Sequence, residues 1–144
     1  MTHILRRVLP VLAVFAATSA QSEAPEGQAL YGTYCAACHG ASLEGAPDWQ
    51  RPGPDGLLPA PPHDETGHTW HHGDRFLFDY VKLGGQTVLD DLGVRFTSAM
   101  PAFADILTDP EIDAILDFIR SSWPDRIREI QAARTVMEAE ADQQ

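Results

Sequence analysis

The chain has 144 residues, 44% hydrophobic and 22% charged, which is enough for one small domain with a single core. Ten Lys and Arg side chains stand against 21 Asp and Glu side chains, so the formal net charge is −11. No nucleic-acid partner is therefore expected, because binding to phosphates requires a basic surface.

The first 20 residues have the pattern of a secretory signal peptide. Arg6 and Arg7 form the charged start, residues 8–17 form a short apolar run, and the small residues Thr18-Ser19-Ala20 predict cleavage after Ala20. The run is shorter than the roughly 20 residues that span a membrane, so a retained anchor is the weaker alternative. We expect a periplasmic protein with no stable membrane insertion after cleavage. Without the two arginines, 8 basic and 21 acidic side chains remain, a formal charge of −13.

A first helix is predicted from about Ser22, a capping residue, and Pro25, a proline suited to a first turn. It leads into Cys35-Ala36-Ala37-Cys38-His39, which holds the only two cysteines of the chain. Cys-x-x-Cys followed by His is the attachment signature of a c-type haem. We predict that Cys35 and Cys38 form thioethers to one haem c, and that His39 is the proximal ligand of its iron.

Two other interpretations of the cysteine pair fit the sequence poorly. A thioredoxin-like redox pair is expected near a βαβ pattern, of which the chain shows no sign. A structural zinc site needs four ligands, usually from a second cysteine pair, and the chain has none.

Residues 45–62 are rich in glycine and proline and predict a long loop. The following segment, His63–His72, gathers four histidines and two carboxylates. Imidazoles grouped in a loop can bind copper or zinc, so a second metal site is one interpretation. The other is a polar loop over the haem edge, in which the histidines make hydrogen bonds.

Three further helices are predicted. The first runs from Gly73 to Leu83 and is stopped by Gly84-Gly85. The second opens at Asp109-Pro110-Glu111 and ends at Trp123, before Pro124. The third runs from Asp125 to about Ala141. The spacing of Ile127, Ile130, Arg134 and Met137 predicts a weakly amphipathic helix.

Met100 is the predicted sixth ligand of the iron. Met1 leaves with the signal peptide and Met137 lies in the charged terminal helix, whereas Met100 precedes Pro101 in a loop that the proline stiffens. The alternative is that Met100 only fills the core, a common role of methionine. A His/Met pair raises the reduction potential and leaves no open coordination site, which describes an electron carrier and not an enzyme.

These residues together resemble class I c-type cytochromes over nearly the whole predicted mature chain. The resemblance rests on Gly27, Tyr31, the Cys35–His39 run, Met100-Pro101-Ala102-Phe103, and Ile115 with Phe118. It implies an all-α fold of few helices around one covalent haem, with Gly27 at a close crossing of the first and last helices of that fold. It also implies a methionine ligand in the setting of Met100.

The resemblance further implies that a proline carbonyl orients His39, and residues 47–62 offer six candidates: Pro47, Pro52, Pro54, Pro59, Pro61 and Pro62. The run from Ala60 to His72 is similar to one in bacterial mono-haem cytochromes c, which favours a structural role for its histidines. Donors for the haem propionates are sought among Arg, Trp and Tyr side chains. The candidates are Trp49, Arg51, Trp70, Arg75 and Arg95.

The predicted organisation is a signal peptide at 1–20, a cytochrome c domain at 21–124 and a helical extension at 125–144. The predicted function is single-electron transfer between redox proteins in the periplasm. Cytochromes similar to the mitochondrial ones ring the haem edge with lysines, but Lys82 is the only lysine here, so we expect partners with a basic or apolar docking face. The alternatives are a haem enzyme or gas sensor with a displaceable sixth ligand, and an electron-transfer subunit of a larger dehydrogenase or oxidase.

Overall fold

The computed structural model describes residues 23–143. In this range the regular secondary structure is all helical, with no strand. The predicted signal peptide and the predicted capping residue Ser22 lie outside it. Within the described range, six α-helices follow one another, with a single 3₁₀ turn at Thr69–His71 before the third. The α-helices are α1 Glu23–Tyr34, α2 Ala36–His39, α3 Asp74–Leu83, α4 Gly85–Asp91, α5 Asp109–Ser121 and α6 Asp125–Ala141.

The centre of the fold is the crossing of α1 with α5. A Cβ atom on Gly27 would lie 2.0 Å from the carbonyl oxygen of Ala114, so only glycine lets the two backbones approach this closely. Tyr31 and Ile115 are each 1% exposed beside the crossing, and the Tyr31 ring packs against Phe118 with ring centroids 5.4 Å apart. The crossing implied by the resemblance is thus present.

Helix α5 starts as predicted and ends slightly earlier. The Glu111 carboxylate accepts hydrogen bonds from the backbone N–H of Thr108, at 2.8 Å, and from its hydroxyl, at 2.7 Å. This arrangement caps the helix, as in a capping box. The helix ends at Ser121 and not at Trp123, whose indole is 1% exposed and donates to the carbonyl of His63 at 2.7 Å.

Helix α3 follows the predicted range, but the pair Gly84-Gly85 does more than stop it. Gly84 adopts a φ of +85°, which glycine tolerates, and ends α3. Gly85 then begins α4, an element that the sequence pattern did not predict, and its N–H donates to the carbonyl of Met100 at 3.1 Å. Helix α4 is therefore fixed to the loop that carries Met100.

Helix α6 packs back onto the domain through polar contacts. Gln131 is 3% exposed, and its amide donates to Asp74 at 2.7 Å. The Glu138 carboxylate accepts from the backbone N–H groups of Arg75 and Phe76, each at 3.0 Å, and so satisfies the free N–H groups at the start of α3. Of the predicted spacing, Ile127 packs against the core, but Met137 is 58% exposed, so the apolar contact does not extend to the end of the helix.

The cap that Glu138 provides should be measurable as stability. Gly73, the residue before α3, has no side chain with which to cap it, so Glu138→Ala removes a carboxylate that replaces the usual capping group. We expect the free energy of unfolding to fall by about 1 kcal/mol, the typical value of a helix cap. Urea denaturation measures it. Glu140→Ala is the control, since Glu140 is an exposed glutamate of the same helix; equal losses in the two variants would contradict the capping role.

Among the described residues, none of the helices combines the length and the apolar character needed to cross a bilayer.

Candidate functional site

The Cys35–His39 segment forms a single tight turn after α1. The backbone N–H of Cys35 donates to the carbonyl of Tyr31, and that of His39 donates to the carbonyl of Cys35, each at 2.9 Å. Cys35 is buried and Cys38 is exposed. The burial of Cys35 raises the pKa of its thiol to about 11. The nucleophile of a redox pair has a lowered pKa instead, so Cys35 does not suit that role.

The ring of His39 has one nitrogen engaged and one available. Its Nδ1 lies 2.8 Å from the carbonyl oxygen of Pro61. A carbonyl only accepts, so Nδ1 carries the hydrogen and Nε2 keeps its lone pair. Burial also lowers the pKa of His39, which favours the neutral ring. This neutral tautomer is the form in which histidine binds a metal, so the residue fits a haem iron. Of the six candidate prolines, Pro61 provides the carbonyl.

Tyr31 connects the helix crossing to this turn. Its phenol is buried and donates to the carbonyl of Gly40 at 3.0 Å, with the carbonyl of His39 at 3.3 Å. Burial raises the pKa of Tyr31, so the hydroxyl stays protonated and keeps its role as a donor. One side chain thereby holds the end of the turn against α1.

The loop around Met100 is held by several polar contacts. The Ser98 hydroxyl lies 2.8 Å from that of Tyr80, and it accepts from the backbone N–H of Met100 at 3.2 Å. The Ser98 backbone N–H donates to Gln86 at 3.0 Å. Met100 is half-buried and packs against the hydrophobic core cluster to which Cys35 belongs. The loop is therefore tied to both α3 and α4 at the predicted ligand.

A cavity of about 910 Å³ opens between residues 50–58 and residues 86–97. Its walls reach Leu58, three residues before Pro61, and Thr97, three residues before Met100. The two segments that border it therefore continue into those that hold His39 and Met100. It is open to solvent, and none of Cys35, Cys38, His39 and Met100 lines it.

Of the five candidate donors for the propionates, Arg95 alone lines this cavity. The other four have protein contacts elsewhere. Arg75 pairs with Asp142 and Asp79, and Arg51 lies 3.8 Å from Asp48. The Trp70 indole donates to the carbonyl of Glu65, and Trp49 stacks on His68.

The histidines of the 63–72 segment pack against other rings. Residues 26–143, whose side chains are described, contain no group of three or more His, Cys, Asp or Glu side chains arranged to hold a metal ion. Instead, each ring lies near-parallel to a neighbour: His63 to His39, His68 to Trp49, His71 to Trp70 and His72 to Phe76, with ring centroids between 3.7 and 5.6 Å apart.

The environment of His72 predicts a stability that depends on pH. Burial, followed by repulsion from His68, His71 and Arg134, lowers the pKa of His72 from 6.5 to about 4. The unfolded chain takes up this proton below pH 6.5 and the folded protein only below about pH 4, so stability falls as the pH is lowered between these values. We expect the thermal midpoint to follow this fall. His72→Phe keeps a ring against Phe76 and should flatten the profile; an equally steep fall in the variant would contradict the assignment.

The turn after α1, the crossing and the all-helical architecture together define a c-type cytochrome fold. The sequence model of the family Cytochrome c matches residues 24–123, and the chain belongs to this family. Neither the curated proteins nor the solved structures include a significant match. With the Cys35-x-x-Cys38 pair, family membership indicates one covalently bound haem c and a role in haem-based electron transfer with redox protein partners.

Sequence reasoning did not identify the residues that support the two predicted ligands. His63 and Gln86 contact His39 and the Met100 loop from distant parts of the chain, and Ser98 contacts Met100 from within the loop. The only local signal was the serine two residues before Met100, a spacing at which a serine hydroxyl commonly accepts from the backbone.

Proposed function

We propose that this protein is a periplasmic mono-haem cytochrome c that carries single electrons through an iron bound by His39 and Met100. The observation that supports it most strongly is the tautomer of His39, in which the hydrogen bond to Pro61 leaves Nε2 free. Haem supplies the one-electron chemistry when bound.

In this proposal each of the haem-binding residues has a defined task. Cys35 and Cys38 form the two thioethers, so the cofactor is not lost on dilution. His39 and Met100 would both bind the iron, which would leave no site for a substrate. Arg95, on the cavity wall, is the proposed cation beside the propionates. Such a site favours electron transfer over reaction with small molecules.

The proposed organisation places a signal peptide at 1–20, the haem domain at 21–124 and a helical extension at 125–144. The family match ends at residue 123, close to the proposed boundary. The proposed export of the protein agrees with the haem assignment, because bacterial c-type haem is attached on the outer side of the cytoplasmic membrane.

The proposal predicts a characteristic optical spectrum. The protein is produced together with a haem-attachment system, and the mass of the product and the spectrum of its ferric form are recorded. We expect one haem per chain, a low-spin spectrum with the weak far-red band of iron–thioether ligation, and no CO binding after reduction. A high-spin ferric spectrum or ready CO binding would contradict it.

The charge of the chain predicts how electron transfer responds to salt. The formal charge of −13 that remains after the proposed signal cleavage should attract cationic partners and repel anionic ones. We expect oxidation of the ferrous protein by tris-phenanthroline cobalt(III), a cation, to slow by about tenfold as ionic strength rises from 0.01 to 0.15 M, where the Debye length shortens from about 30 to 8 Å. Oxidation by ferricyanide, an anion, should accelerate over the same range. If neither rate responded, docking would be mainly apolar.

A further inference from the structure

We propose that His63 is a positioning residue for His39: its ring holds the plane of the His39 imidazole and thereby the electronic state of the haem iron. The proposal rests on the proposed role of His39 as an iron ligand. It concerns a residue that lies outside the Cys35–His39 motif and the Met100 loop. The main observation behind it is that the His63 and His39 rings are stacked, with centroids 4.0 Å apart and an interplanar angle of 21°.

The hydrogen bond to Pro61 does not determine the plane of His39 by itself. It fixes one point, the Nδ1 atom, 2.8 Å from the carbonyl oxygen. The ring turns about its Cβ–Cγ bond, and one hydrogen bond restrains this rotation only within the range of angles that the bond tolerates. A second flat ring against its face opposes that rotation, because turning would drive the edge of His39 into His63. One hydrogen bond and one stacked face together define the orientation.

The opposing ring is itself held firmly. The backbone N–H of His63 donates to the carbonyl of Leu43 at 2.8 Å, and its carbonyl accepts from the Trp123 indole at 2.7 Å. Its Nδ1 lies 2.8 Å from the hydroxyl oxygen of Thr69, which is 5% exposed. The Tyr31 ring meets it edge-on, at an interplanar angle of 75°. His63 is thus fixed by contacts to α1, to the loop after His39 and to the residue just beyond α5.

Orientation of the ligand ring has a direct spectroscopic consequence. The plane of an axial imidazole decides which iron d orbital overlaps with the π electrons of the ring. In a ferric low-spin haem this overlap sets the EPR g values and the spread of the haem-methyl NMR shifts. Groups behind a metal ligand also tune the reduction potential. A residue that merely fills space would leave the g values and the pattern of methyl shifts unchanged.

Three variants of the holoprotein test the role. His63→Leu removes the flat face at similar volume, His63→Phe keeps a flat face but loses the hydrogen bond, and Thr69→Val removes the hydroxyl that holds the ring. EPR and haem-methyl NMR spectra of the ferric forms are recorded beside reduction potentials and thermal midpoints. We expect His63→Leu to shift the g values, the methyl pattern and the potential. We expect His63→Phe and Thr69→Val, which keep a flat ring but lose the hydrogen bond, to shift these quantities in the same direction by smaller amounts.

The outcomes separate this role from the function on which it rests. A wild-type protein without a low-spin spectrum would overturn the ligation by His39 and Met100, and the positioning role with it. A low-spin wild type with unchanged spectra in His63→Leu would overturn the positioning role alone, as would equal shifts in the leucine and phenylalanine variants. If His63→Leu fails to retain haem, the spectra of Thr69→Val test the positioning role instead. Spectra identical to those of the wild type in that variant would overturn the role.

Discussion

Replacement of Gly27 by alanine is expected to lower the free energy of unfolding by about 3 kcal/mol, near the upper end of overpacking effects. The added Cβ would lie 2.0 Å from the carbonyl oxygen of Ala114 and 2.7 Å from its carbonyl carbon. Both are backbone atoms, so no side chain can rotate away, and α1 and α5 have to separate. The better helix propensity of alanine, about 1 kcal/mol, offsets only part of this cost. Urea denaturation of the haem-loaded protein measures the difference.

Helix α1 offers a matched control for this prediction. Gly32 lies in the same helix, is exposed, and has no atom within 4 Å of the position that a Cβ would take. Gly32→Ala should therefore raise the free energy of unfolding by about 0.5–1 kcal/mol, the difference between alanine and glycine inside a helix. Opposite signs for the two substitutions are expected. Similar effects of both would mean that the crossing does not determine stability.

The second large effect is expected from Met100→Ala, because it removes the proposed sixth ligand. The far-red band of the ferric protein should vanish completely, the reduction potential should fall, and the ferrous form should gain CO binding. Met100 is half-buried and its loop is held through Ser98 and Gly85, so the backbone should persist in the variant. Optical titration with CO and potentiometry measure these changes.

Met137→Ala is the matched control for the ligand. Met137 is 58% exposed on α6, and its replacement should leave the spectrum and the potential unchanged. If Met100→Ala instead kept the far-red band, Met100 would be a core residue. A wild type that already bound CO as the variant does would favour the haem enzyme or gas sensor, because the iron would have an open site.

The elements that sequence reasoning predicted well are those with local signals. Proline and glycine mark the ends of α3 and α5, and the Cys35–His39 motif identifies the cofactor by its own spacing. Helix α4 was missed because two consecutive glycines normally end a helix. Only the contact of Gly85 with the carbonyl of Met100, fifteen residues later, explains why a new helix begins there.

What sequence reasoning could not provide are contacts between distant positions. The six prolines after the motif are chemically alike, and only the folded chain brings the Pro61 carbonyl to His39. The capping of α3 by Glu138 joins residues more than sixty positions apart, so no helical periodicity contains it. The polar contacts of α6 were missed for the same reason, because Gln131 donates to Asp74, which lies at the start of another helix.

The burial of Cys35 sets an order of events in the maturation of the protein. Once α1 and α5 have packed together, this thiol is enclosed, and with a pKa of about 11 almost none of it is thiolate at neutral pH. We therefore expect the proposed thioether at Cys35 to form while the chain is still open. Helix α5, which completes the crossing, begins only at Asp109, so during synthesis the Cys-x-x-Cys motif emerges well before it can be covered. The same late contact that stabilises the finished fold thus leaves an interval in which haem can be attached.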